Sequence, residues 1–245
     1  MYRTCALLAL SLILAGCAAF EPAIPGSGKL VTETRKADPF TKLDVAIGTR
    51  LVVKKGAETS VELTIDDNLQ SLVKTEVVDG TLVVKSDKNL APHKETTLTV
   101  VTPSLQSLSV AGAVEGSVEE LSGPEASVSI AGSGDLAVGL AAESFSGSIS
   151  GAGEVVLTGT CPKLVLRTSG AGDWDSQSVA AEDVNLTIAG SGTGKVNASK
   201  LLSVSIAGSG DVKYLGSPEV KESIAGSGSV EPMQTDAPKE SPKEQ

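Results

Sequence analysis

Apolar and polar residues alternate with a period of two through much of this 245-residue chain, and no stretch holds the 3.6-residue period of a long amphipathic helix. Leu43-Asp44-Val45-Ala46-Ile47, Val61-Glu62-Leu63-Thr64-Ile65 and Leu98-Thr99-Val100 each read as a short strand with one buried face. Between Val77-Val78 and Leu82-Val83-Val84 stands Asp79-Gly80, the signature of a tight hairpin. Residues 38–106 are therefore expected to form a strand-rich N-terminal region.

From residue 107 the alternation becomes a repeat. Units such as Ile130-Ala131-Gly132-Ser133-Gly134 and Ile206-Ala207-Gly208-Ser209-Gly210 align without gaps, with first glycines at 112, 132, 151, 170, 190, 208 and 226, in steps of 18 to 20 residues. Six, four and two residues before those glycines the side chains are mostly apolar, as in Val184, Leu186, Ile188 and in Leu202, Val204, Ile206; Gln106, Gly147 and Glu222 are the chief exceptions. The glycine pair permits a tight corner. A second alternating strand follows, as in Leu136 and Val138 or Val212 and Tyr214. Pro124, Pro162 and Pro218 recur eight residues before the glycine, where a second corner is expected.

Two strands and two corners in about nineteen residues make one coil of a solenoid. A coil that short cannot bury its own apolar face, so coils must stack at the strand spacing of ~4.8 Å, about 34 Å for seven. The expected fold class is all-β: a right-handed parallel β-helix over residues 107–231, preceded by the strand-rich region. In the last coil Lys221 and Glu222 put charge on the open edge, Glu222 at a phase that is apolar in most other coils, which reads as edge protection. The Pro-rich, charged stretch 232–245 is expected to be a disordered tail.

The first sixteen residues have the layout of a secretory signal, with one cation, Arg3, and an apolar run from Ala6 to Leu14 that is too short to span a bilayer. Leu14-Ala15-Gly16-Cys17 resembles the bacterial lipoprotein signal, in which the cysteine is lipidated and becomes the new N-terminus. That resemblance implies lipid on Cys17, membrane contact through it and, with Ala18 rather than aspartate next, an outer-membrane address in a Gram-negative cell envelope. Residues 17–37, spotted with Pro, Gly, Ser and charge, are expected to be a tether. Cys5 leaves with the signal and Cys17 takes lipid, so Cys161 has no intrachain partner. Beside Pro162, it reads as a small buried corner residue rather than a nucleophile.

Asp79-Gly80-Thr81-Leu82, then Pro103-Ser104-Leu105, then the recurring Ile-Ala-Gly-Ser-Gly units resemble the putative auto-transporter adhesin, head GIN domain family of bacterial envelope proteins, over residues 38 to 230. The resemblance implies an all-β fold with β-helical stacking and an adhesive or surface role, and brings with it no established reaction or catalytic residues.

Composition narrows the partners. A net charge of −10 opposes polyphosphate, which removes nucleic acid. Six aromatic residues, one of them in the signal, leave no ring-lined platform for sugars or bases. Directly after the glycine pair stand Asp135, Glu154, Asp173 and Asp211, a row in which stacking would set carboxylates against one another. Those four are the metal-ligand candidates, for a divalent cation on oxygen ligands, set against ordinary turn chemistry for Asp after Gly. Three residues before the glycine stand Ser129, Ser148, Thr187, Ser205 and Ser223, which with the Ala and Ser two positions later predict a flat face of small side chains. Such a face suits an envelope polymer, a protein or self-association. No cofactor is implied: Gly190-Ser191-Gly192-Thr193-Gly194-Lys195 lacks the leading Gly and trailing Ser/Thr of a phosphate loop, and His93 is the only histidine. The leading reading is a lipid-anchored, non-enzymatic binding or adhesion module. The alternatives are a periplasm-facing structural or accessory lipoprotein and a polysaccharide-active enzyme using the acidic row.

Overall fold

A computed structural model describes residues 22–233. The protein is all-β: no α-helix occurs among the described residues, and one 3-10 turn spans Gln70–Leu72. The strands are β1 (Ile24–Pro25), β2 (Leu30–Arg35), β3 (Lys42–Ala46), β4 (Thr49–Lys55), β5 (Ser60–Asp66), β6 (Val73–Val78), β7 (Thr81–Ser86), β8 (Leu90–Ala91) and β9 (Thr97–Thr102). Then come β10 (Ser107–Thr160), β11 (Lys163–Gly190), β12 (Thr193–Gly208), β13 (Asp211–Leu215), β14 (Glu219–Gly226) and β15 (Ser229–Pro232).

β10 and β11 are too long to run straight. They turn at the glycines, whose φ is +133° at Gly132, +134° at Gly151 and +124° at Gly170. Each corner divides a coil into a first limb before the glycine and a second limb after it. Successive coils lie in parallel register: Ile149 beside Thr168 and Val155 beside Trp174, then Ile188 beside Ile206, then Ile206 beside Ile224. The corners sit on one another so closely that a Cβ at Gly170 would overlap the carbonyl oxygen of Gly151, and one at Gly190 that of Gly170. Glycine is thus required there twice, by conformation and by space.

The N-terminal half belongs to the same stack. β3 lies parallel to the start of β10, with Leu43 beside Leu108 and Val45 beside Val110, and β7 lies parallel to β3. On the second limb β4 pairs with β10 and β9 with β4, both parallel. The alternation expected of a separate strand-rich region is therefore the apolar phase of two further coils, which the chain visits out of spatial order. Beyond them β6 on β7, β5 on β9 and β2 on β5 run antiparallel, so the sheet is mixed rather than all-parallel, and it does not close on itself.

The expected tether ends earlier than residue 37. β2 is a full strand of the sheet, and before it a strap runs over the lowest coil, where β1 pairs with β8. Buried Asp66 fastens the strap: its Oδ1 accepts the Gly28 N–H at 2.6 Å and its Oδ2 the His93 N–H at 2.9 Å. Asn68 adds two bonds, accepting from Ser27 N–H and donating to the Pro25 carbonyl. Arg35 then stitches β2 to β6, donating to the carbonyls of Val73 and Gln70 at 2.6 and 2.8 Å. These polar groups explain why a Gly- and Ser-spotted stretch is held: its backbone donors and acceptors find fixed partners.

One apolar core runs the length of the stack between the limbs. Trp174, fully buried, fills the space that Gly147 leaves, since any Cβ there would strike the indole ring. Its Nε1–H donates to Thr168 Oγ1 at 3.1 Å, and Phe145 meets it edge-on with ring centroids 6.4 Å apart. The breaks in the apolar phase at Gly147 and Thr168 are the accommodation of this one large ring.

Candidate binding faces of the coil stack

Cys17 lies outside the described residues. The first-limb candidates share one outer wall: Ser129, Ser205 and Ser223 are exposed and Ser148 and Thr187 half-buried. Thr187, Ser205 and Ser223 stand side by side, and Ser148 stands beside Arg167, the long side chain of that column. A parallel column holds Ala131, Ser150, Ser169, Ala189 and Ala207, all exposed. Alternation does this: the outward Ser and Ala residues alternate with inward, mostly apolar ones, so apart from Arg167 the wall is built of short side chains.

The acidic row occupies the start of the second limb. Asp135 Oδ1 accepts the Glu154 N–H one coil on at 2.9 Å. Asp173 accepts both the N–H and the hydroxyl of Thr193, at 2.6 and 2.8 Å, and Asp211 accepts the same two groups of Ser229, at 3.1 and 2.8 Å. The interruptions at Thr193 and Ser229 thus alternate donors with carboxylates, which relieves like-charge contact along the column. Arg50, in register with Glu115, heads the row and pairs with Glu95 at 3.7 Å. Among the described residues no group of three or more His, Cys, Asp or Glu side chains is placed to hold a metal ion.

A feature absent from the sequence reading lies where the lowest coil turns. The loop from Pro92 to Thr96 overhangs the glycine corners of the next coils and walls a cleft of about 660 Å³, floored by Ala113, Ser133, Gly134 and Ala152 and rimmed by Arg50, His93 and Lys94. Thr96 at its back is 4% exposed, and its hydroxyl has no partner among the described residues. The signal was the ten-residue gap between the alternating runs that become β7 and β9, where the repeats have only a glycine corner. His93 is held through its backbone, and its ring lies over Gly28. Cys161 is buried, donates to the Lys163 carbonyl at 3.2 Å, and has its thiol pKa pushed up by burial. It is held as the inert thiol, the reverse of what a nucleophile needs.

A sequence profile of the putative auto-transporter adhesin, head GIN domain family matches residues 39–218. No curated protein matches the chain. Among solved structures, a putative adhesin from Bacteroides fragilis NCTC 9343 is similar at 25% identity and a TM-score of 0.79, over 86% of this chain and 100% of that one. A putative lipid binding protein from Parabacteroides distasonis ATCC 8503 shares the fold at 21% identity and a TM-score of 0.68, over 87% and 100%. A putative adhesin from Parabacteroides merdae ATCC 43184 does so at 19% and 0.63, over 86% and 99%.

Proposed function

The chain belongs to the putative auto-transporter adhesin, head GIN domain family, and on that membership we propose that it is a non-enzymatic, adhesion-like binding module of the bacterial cell envelope. Its coils act as a right-handed parallel β-helix, a stiff post that meets its partner along a side wall. The observation that carries this reading is the first-limb wall, where Ser129, Ser205 and Ser223 stand exposed, the last two on strands locked in register. A wall of short side chains, with Arg167 as its one long residue, suits an extended partner, envelope polymer or protein, lying across several coils. Similarity to the putative adhesin from Bacteroides fragilis supports the same role.

Lipid on Cys17 holds the post to the outer membrane. The chain from Cys17 to Ile24, where β1 begins, spans at most about 25 Å, so the post stands close to its leaflet. That short reach favours a second reading, a periplasm-facing accessory lipoprotein. Protease added to intact cells separates the two: cleavage of this chain beside an untouched periplasmic control supports adhesion, and protection until the outer membrane is broken overturns it. Ser129→Arg with Ser205→Arg is expected to abolish retention of cells or envelope polymer on the wall; unchanged retention removes the wall as the site.

A further inference from the structure

We infer that the C-terminal end of the stack is a dimerisation edge that Glu222 holds shut. The inference makes no use of the first-limb wall and goes beyond the reading above. β14 lies on β12 by one edge and β15 on β13, and among the described residues no strand covers the other side. The coil geometry continues unbroken to this end, with Val220 beside Leu202 and Ile224 beside Ile206. Yet Ile224 is 38% exposed where Ile206 is buried, and Val220 is half-buried. The opposite end differs: there Arg35 bridges the last strands of the two limbs. A copy meeting this edge therefore meets it with the same edge, about a two-fold axis.

Such an axis, perpendicular to the sheet, sets β14 antiparallel to β14 of a second copy and keeps outward side chains outward. The register centred on residue 222 engages the strand from Glu219 to Ala225 and pairs Val220 with Ile224 of the second copy, twice. It covers the apolar residues that the last coil leaves open. It also sets two Glu222 carboxylates opposite each other on the inner side, where cross-strand Cβ atoms lie about 5 Å apart. Stripped of water there, like charges repel strongly. The other six coils of the repeat carry Leu108, Val128, Gly147, Leu166, Leu186 and Val204 at this phase, so the one charge among seven stands in the last coil. On the second limb Pro232 withholds an edge donor from β15, which leaves β14 as the pairing strand.

The test is sedimentation velocity on the full chain carrying Cys17→Ser, which leaves it without lipid, with folding checked by circular dichroism. The parent is expected as a single copy, Glu222→Val as a dimer associating about 100-fold more tightly, and Glu222→Val with Ile224→Lys as a single copy again. Glu222→Val that stays single at hundreds of micromolar overturns the inference, as does a parent dimer of equal strength. A Glu222→Val dimer that survives Ile224→Lys overturns it too, because another face then makes the contact. So does a dimer that forms only once residues 234–245 are removed, because those residues then close the edge.

Discussion

The lowest coils and the repeat coils turn the same corner by different means. Between β3 and β4 the turn passes through Gly48, which has no positive φ and whose added Cβ would make only an ordinary 3.6 Å contact with the Ala113 carbonyl. Between β7 and β9 the corner becomes a loop that carries β8 and His93. From Gly132 onward, every corner rests on the one before it, and the backbone must take a left-handed conformation with no room for a side chain. The strict motif is therefore the signature of a corner stacked on a corner. Where nothing lies beneath, the chain is free to insert a loop, and the cleft walled by Pro92 to Thr96 exists because of that freedom.

The comparison is sharpest at two glycines of the same ladder. Gly170→Val places a branched side chain at φ +124° against the Gly151 carbonyl, and a loss of more than about 4 kcal/mol or failure to fold is expected. Gly112 has φ +118° but open space around an added Cβ, so Gly112→Ala is expected to cost only about 1–2 kcal/mol, the conformational part alone. Urea unfolding measures both, and equal losses would break the distinction between stacked and unstacked corners. Asp66→Ala is expected to cost about 1–2 kcal/mol by leaving the part-buried Gly28 and His93 N–H groups without their acceptor. Hydrogen exchange should then quicken at Gly28 and His93 while the repeat coils keep their protection; uniform quickening would show the strap and the stack to be one cooperative unit. The smallest effect concerns Asp67, whose carboxyl is held below its usual 3.8 chiefly by the Ser27 hydroxyl, with Lys29 adding to it. A depressed carboxylate contributes above its unfolded value and loses that contribution as pH falls through its folded one. Strap exchange at Ser27 should accordingly rise only below about pH 3.8, and a rise near neutrality would point to a different group.

The repeat half was legible because its constraint recurs: one wrong residue can be read against six correct ones. Even its departures had local reasons that sequence could not supply. Gly147 and Thr168 answer to Trp174, which lies in the next coil for one and around the corner for the other. Thr193 and Ser229 answer to carboxylates one coil below. In the N-terminal half the alternation of Leu43 and Val45 identified a strand but not its neighbours, because β3 lies between β7 and β10, elements far ahead of it in sequence. The strap was misjudged for a related reason. Pro, Gly and Ser describe a chain with no core of its own, and they are silent about a distant Asp66 that supplies the missing partner. The cleft, made by an inserted loop over three coils, has no periodic trace at all.

The coil register also governs how such a molecule can change its height. Within a limb an extra residue would turn every later side chain inside out. The existing repeats, 18 to 20 residues apart, place their difference elsewhere, as where the register between β11 and β12 slips from Ser176 to Asp183, at the corner away from the glycines. Growth or loss is consequently counted in storeys of ~4.8 Å, whole turns copied or deleted in frame. The height of the stack becomes an inherited integer, set by the number of duplications rather than by any residue within them.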